Sequence, residues 1–238
     1  LVLAPPGTGK THTVVARIKH LIDTDGLHPR QDILVLCFTR AAVREILKRL
    51  TDLVKTHKIH DDLRFATVRT FDSFASRLLA AADTERDLSE MSFDERIRVL
   101  VEALRDPASE ESTRIAGVRH LIIDEIQDLV GIRAALVQAI LARISGGFTL
   151  LGDPAQAIYG FSRHSADDLD PAALLAWLRR QPWMAPIAES GLTIDYRTLP
   201  ESHSTRVAHA VRETLLTDAP QADAALKRAL HYDNPSPV

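Results

Sequence analysis

The chain opens on a short apolar run, Leu1–Ala4, that passes directly into Pro-Pro-Gly-Thr-Gly-Lys-Thr. Few sequences constrain a fold more tightly. A strand must stop, turn sharply and begin a helix whose first N–H groups aim at one point. Gly7 and Gly9 permit the turn and a close backbone approach. The first helical N–H groups, at Gly9, Lys10 and Thr11, lack intrahelical partners and suit an anion. Pro5 and Pro6 carry no N–H, so the cradle is made from Gly7 and Thr8 onward. In a phosphate loop of this kind Lys10 reaches the β- and γ-phosphates, and the Thr11 hydroxyl ligates Mg²⁺. Ala4 stands where the general pattern has its first glycine, and it is the smallest replacement. A dinucleotide loop is excluded, because His12 occupies its third glycine position.

Composition narrows the class. The chain has 238 residues, 45% apolar and 26% charged, as in an ordinary globular protein. The formal net charge of −3 gives no global signature of a nucleic-acid partner, so any basic track is local. Cys37, the single cysteine, lies in an apolar run and reads as a small core residue. It has no internal disulfide partner, which fits a reducing compartment. The ten histidines lack ligand spacing, so no zinc site is expected. No apolar run reaches membrane-spanning length, and no signal peptide precedes the first strand. The expected location is cytoplasmic. A first strand that begins at Leu1 leads us to expect a truncated chain.

Apolar runs alternate with amphipathic stretches, which predicts an α/β fold: a parallel sheet with helices on both faces. Strands are expected at Leu1–Ala4, Ile33–Phe38, Leu63–Val68, His120–Asp124 and Phe148–Gly152, with a last one at Leu192–Ile194. Helices are expected at Lys10–Ile22, Ala41–Lys55, Phe71–Ala82 and Ile132–Ile144. Two more are expected from about Pro200 to Leu216 and over Ala222–Leu230. The charged segment from Asp83 to Gly117 breaks the rhythm and reads as a small helical insertion, with Phe93–Leu104 its best helix.

A second constellation follows the strand His120–Asp124: Asp124, Glu125 and Gln127. Ligands of a doubly wound sheet sit at the carboxyl ends of its strands, where the glycine loop also lies. Asp124 is placed to hold Mg²⁺ opposite Thr11, and Glu125 to orient or deprotonate an attacking water. A strand ending in Asp-Glu also serves simply as a helix start with favourable dipole charges.

Taken in order, these residues resemble the superfamily 1 DNA helicases of the UvrD/Rep type. APPGTGKT (Ala4–Thr11) looks like motif I, LCFTRAAVREI (Leu36–Ile46) like Ia, and TVRTFDSFASRLL (Thr67–Leu79) like Ib. IIDEIQDL (Ile122–Leu129) looks like motif II, LLGDPAQAIYGF (Leu150–Phe161) like III, and LTIDYRT (Leu192–Thr198) like IV. The resemblance implies a RecA-like ATP-binding domain over residues 1–82 and 118–190, the insertion at 83–117, and the beginning of a second RecA-like domain at 191–238. It also implies roles: Gln156 reports the γ-phosphate, Tyr196 stacks on adenine, and Arg197 stabilises γ-phosphate charge. Phe38 and Phe161 become stacking stations for single-stranded bases, with Tyr159 beside them. Thr39, Arg40, Thr70 and Phe71 line the strand's path. Aromatic faces bind bases without sequence preference, although a lone Phe after a strand reads as core as well as surface.

Some residues depart from the pattern. Gly160 and Ser162 flank Phe161 where a basic residue is common, and Asp195 precedes Tyr-Arg where Asn is usual. The insertion is shorter than the family's helical subdomain. By the resemblance, a glutamine motif would precede Leu1, and motifs V and VI would follow Val238. The implied function is an ATP-dependent 3′-to-5′ single-stranded DNA translocase and helicase, using ATP and Mg²⁺. The alternatives are a helicase subunit of a helicase–nuclease repair complex and a non-catalytic ATP-gated DNA-binding module. The partner expected is single-stranded DNA, with the remainder of the second domain absent and no membrane.

Overall fold

Residues 33–37, Ile-Leu-Val-Leu-Cys, are buried without exception, as expected of a parallel strand covered on both faces. The computed structural model describes residues 1–5, 7–57, 61–85, 87–153, 171–181, 188–194 and 196. Its strands are β1 (Val2–Leu3), β2 (Ile33–Cys37), β3 (Thr67–Thr70), β4 (His120–Ile123), β5 (Gly147–Gly152) and β6 (Ser190–Gly191). They form one sheet in the order β3-β2-β4-β5-β1-β6, with every pair parallel. The helices are α1 (Lys10–Asp23), α2 (Arg40–His57), α3 (Phe71–Ala82), α4 (Phe93–Arg105), α5 (Glu110–Ala116), α6 (Gly131–Leu141) and α7 (Pro171–Arg179). The α/β class and the helix-covered parallel sheet are as the sequence implied.

Strand alternation sorts the core into two layers. Ile33, Val35 and Cys37 of β2 and Ile122 of β4 pack with Val14, Ile18 and Leu21 of α1 and with Ile46 and Leu50 of α2. Leu34, Leu36, Leu121 and Ile123 face the other way, toward α3, α4 and α6. The 83–117 segment is helical, and its apolar face belongs to this second layer. Ile97, Leu100, Val101 and Leu104 of α4 are buried in the same cluster as Phe71 and Leu136. A capping box starts α4: Ser92 accepts from the Glu95 N–H, and the Glu95 carboxylate accepts from the Ser92 N–H.

Three elements differ from the sequence reading. The strand expected at Leu63–Val68 is a 3₁₀ turn, Asp61–Phe65, followed by β3. Leu63 and Ala66 already reach the core from the turn, and the alternation that suits a strand begins only at Thr67, with Val68 and Thr70 buried. The last strand is Ser190–Gly191 rather than Leu192–Ile194, because β1 is short and pairs with those two residues. The Leu192 N–H still donates to Leu3 O at 2.9 Å, whereas Ile194 is 62% exposed. Helix α7, absent from the sequence reading, buries Leu174 and Leu178. The helices expected at Pro200–Leu216 and Ala222–Leu230 lie outside the described residues. Among the described residues no helix is long and apolar enough to cross a membrane.

Because α4 shares the sheet's core, Leu100→Ala should destabilise the whole domain by about 2–5 kcal/mol in one transition. Denaturant unfolding followed by circular dichroism tests this. A separate early transition confined to a minor fraction of the signal would count against an integral α4.

Candidate nucleotide and strand site

The loop between β1 and α1 is held by its own backbone. Gly7 and Gly9 have φ of 80° and 90°, a left-handed conformation that other residues enter at a cost. Thr8 is buried, and its hydroxyl donates to Pro5 O at 2.7 Å. Gly9 caps α1 without any side-chain hydrogen bond, and no acid occupies the first turn. The positive end of the helix is therefore left for an external anion.

Strand β5 separates β1 from β4, so the loop's lysine must reach across the end of β5. It does. Lys10 Nζ lies 3.4 Å from Ala4 O and 3.4 Å from Glu125 Oε2, with its side chain 11% exposed. The glycine loop and the paired acids thus share one rim.

Glu125 reaches Lys10 from an unusual backbone. Its φ is 60°, and no other non-glycine among the described residues has a positive φ. The left-handed conformation costs roughly 1–2 kcal/mol. It turns the chain from β4 into the 3₁₀ turn Ile126–Asp128. The Glu125 N–H donates to Asp124 Oδ1 at 3.1 Å. Gln127 Nε2 donates to Glu125 Oε2 at 2.6 Å, and Gln127 Oε1 accepts from the Asp153 N–H at 3.0 Å. One buried amide therefore fixes the Glu125 carboxylate and ties it to the end of β5. The sequence marked Gln127 without giving it a role. Gly152 was not marked. A Cβ there would meet Gln127 Oε1 at 2.5 Å and Ile126 N at 2.9 Å.

Burial, and next the Glu125 charge, push the Asp124 carboxyl up to about 6, with Lys10 opposing. Asp128 is likewise pushed up to about 6, first by burial and then by Glu125. Carboxylates crowded together at a rim form a hard oxygen donor set of the kind a divalent cation stabilises. Asp124 and the Thr11 hydroxyl are oxygen donors whose hard character suits Mg²⁺, although among the described residues no cluster of three or more His, Cys, Asp or Glu side chains is arranged to hold a metal.

Tyr196 is 75% exposed, and its N–H donates to Gly7 O at 3.1 Å. The segment after β6 therefore lies against the phosphate loop. Phe38 follows β2 and is half-buried, its ring 5.1 Å from that of Phe71 and tilted by 54°. Thr39 and Arg40 are exposed, and Thr39 Oγ1 accepts from the Ala42 N–H to cap α2. Thr70 and Phe71 lie beneath this surface. Thr70 is 8% exposed and caps α3 through the Ser73 N–H, and Phe71 is 1% exposed. Phe71 supports Phe38 from inside. Gln156, Tyr159, Phe161 and Arg197 lie outside the described residues.

The family profile for the UvrD/REP helicase N-terminal domain matches residues 1–91 and 82–167. The chain belongs to this family. It is 27% identical over 164 residues to an ATP-dependent DNA helicase assigned in Acanthamoeba polyphaga mimivirus, covering 69% of this chain and 23% of that protein. It is 30% identical over 130 residues to DNA helicase IV of Escherichia coli, covering 53% and 18%. It is 28% identical over 125 residues to the ATP-dependent DNA helicase SRS2 of Saccharomyces cerevisiae, covering 48% and 10%. The chain therefore spans less than a quarter of each of these relatives.

Two measurements probe the site in this UvrD/Rep-type domain. Gly152→Ala should destabilise it by about 1–3 kcal/mol, since the obstruction includes backbone. Urea midpoints test this, and a neutral result would mean that the turn over β5 yields freely. The second probe is pH. Asp124 binds its proton more tightly in the folded state, with a folded pKa of about 6 against an unfolded value of about 3.9. Its contribution to stability is complete below the lower value and is lost as pH rises through the higher one. Relative to wild type, Asp124→Asn should therefore gain about 2 kcal/mol between about pH 4 and 7.5 without nucleotide or metal. Equal differences in urea midpoint at the two pH values would contradict the assignment.

Proposed function

We propose that the chain is the nucleotide-binding portion of an ATP-dependent DNA helicase that moves along single-stranded DNA from 3′ to 5′. The observation that carries this reading is the convergence of Lys10 and Glu125, 3.4 Å apart, where the glycine loop meets the strand-end acids. The 3′-to-5′ direction rests on the family resemblance. The domain reading is that residues 1–82 and 118–190 form the first RecA-like domain, that 83–117 is a helical insertion, and that 191–238 opens a second such domain.

The roles rest on the family resemblance and on the contacts at the rim. The amides from Gly7 to Thr11 cradle the phosphates, and Lys10 neutralises the β- and γ-phosphates. Mg²⁺, held by Asp124 and Thr11, supplies charge neutralisation when bound. Glu125 orients the attacking water and accepts its proton, with Gln127 fixing the carboxylate. Tyr196 stands beside the loop, where it meets the adenine. Gln156 and Arg197 face the γ-phosphate by resemblance. Most of the barrier is lowered by positioning and by charge stabilisation. On the strand side, Phe38 stacks a base, with Thr39 and Arg40 beside it and Thr70 and Phe71 beneath. Phe161 and Tyr159 complete that path by resemblance.

The test is ATP hydrolysis by the full-length protein, with and without single-stranded DNA. Lys10→Ala should abolish turnover. Glu125→Gln should keep the binding of a fluorescent ATP analogue and lower turnover by about a hundredfold or more. Undiminished hydrolysis by the glutamine variant would remove Glu125 as the base. A wild-type rate indifferent to single strands would argue against a motor.

A further inference from the structure

Three helix first turns meet at one guanidinium. Arg133, in the first turn of α6, places Nη2 3.0 Å from Asp72 Oδ1 and 3.1 Å from Asp94 Oδ1. Asp72 and Asp94 lie in the first turns of α3 and α4. The acids suit their helices, because carboxylates are favoured at helix N-termini. Arg133 does not suit its own, because a cation in a first turn opposes the helix dipole. What holds it there is the pair of carboxylates. Their attraction offsets that penalty, with the Asp72 side chain 32% and the Asp94 side chain 58% exposed.

The link adds a direct polar contact between two places that otherwise communicate only through the shared apolar layer. On one side, α6 follows the acid turn directly, with Ile126 and Leu129 of that turn fixed in the core. On the other, Asp72 is the immediate neighbour of Phe71, the ring that backs Phe38. Helix α4 packs between α3 and α6, and Arg133 reaches past it to Asp72. The geometry points to Arg133 as a positioning residue. It transmits a change in the turn facing the nucleotide to Phe71, the buried ring that backs the proposed stacking residue Phe38. This inference rests on the proposed helicase function for its meaning and on the ion cluster for its mechanism.

The test uses the full-length protein and two readouts. The first is hydrogen exchange of the amides of residues 71–78, with and without a non-hydrolysable ATP analogue. In wild type, nucleotide should change exchange in this segment by about threefold or more. Arg133→Met should lose that response, as should Asp72→Asn, while Arg133→Lys, which keeps a cation between the acids, should retain part of it. The second readout is ATPase rate. Arg133→Met should reduce stimulation by single strands about fivefold, with unstimulated turnover and the KM for ATP within about twofold of wild type.

A wild-type segment whose exchange ignores nucleotide would overturn the inference, and so would a methionine variant that responds like wild type. Should Arg133→Met fail to fold, the Asp72→Asn and Arg133→Lys pair decides by the same criteria. A protein that hydrolyses ATP without any response to single strands overturns the helicase reading instead. The exchange data alone then decide whether Arg133 carries the link.

Discussion

A side chain at residue 152 would occupy the space through which the turn after β4 crosses the end of β5. Because glycine stands there, Ile126 and Gln127 can lie directly over that strand, and the geometry of the rim follows. Gln127 then reaches both the Asp153 N–H and the Glu125 carboxylate. Glu125 accepts a left-handed backbone and presents its oxygen to Lys10. Lys10 in turn spans β5 from the far side, its amine also on the Ala4 carbonyl. The Ala4 N–H donates to Gly152 O at 2.9 Å, which returns the chain of contacts to its start. Three strand ends are thereby locked to one another by groups that are all polar and mostly buried. Such a network is stable only when each member is satisfied, so displacement of one member is felt by the others.

The electrostatics of this rim are unfavourable in isolation. Asp124 and Asp128 are both pushed toward the protonated form by burial and by Glu125. Lys10 offsets only part of that crowding. A domain tolerates such a cluster because its stability comes from elsewhere, from the two apolar layers on either side of the sheet. The mismatch is also what a ligand can exploit. On the proposed function, a bound cation relieves the repulsion among the acids, and a phosphate group gives Lys10 a second counter-charge besides Glu125.

Much of this was legible because the relevant residues are neighbours in sequence. The glycine loop and the Asp124–Glu125 pair each follow an apolar run, and a parallel sheet brings all such ends to one edge. What was illegible depends on partners distant in the chain. Phe71 reads as a surface aromatic in its motif, yet it is buried, because Phe38 and the α4 layer cover it. Gln127 could be marked but not understood without Asp153, and Gly152 looked like an ordinary strand end. The 3₁₀ turn at Asp61–Phe65 eluded periodicity because a short apolar run reads equally well as strand or turn. The contribution of α4 to the main core was hidden for a similar reason. Its amphipathic face was evident, but the surface that receives it is assembled from three separate segments.

The acid cluster also limits how a nucleic-acid strand can approach. Cys37 ends β2 beside Phe38, and its thiol is pushed up to about 12, chiefly by burial and then by Asp124 and Glu125. The charges of Asp124 and Glu125 are thus felt at the C-terminal end of β2, next to Phe38 in the chain although in the opposite layer of the core. A phosphate backbone laid against that side would be repelled, whereas a neutral base would not. On the proposed function, the base should therefore face inward to Phe38 and the phosphates outward, where exposed Arg40 stands. Stacking and repulsion then act in the same direction. On the proposed function, the acids of the rim and the exposed Arg40 favour the same orientation of the strand.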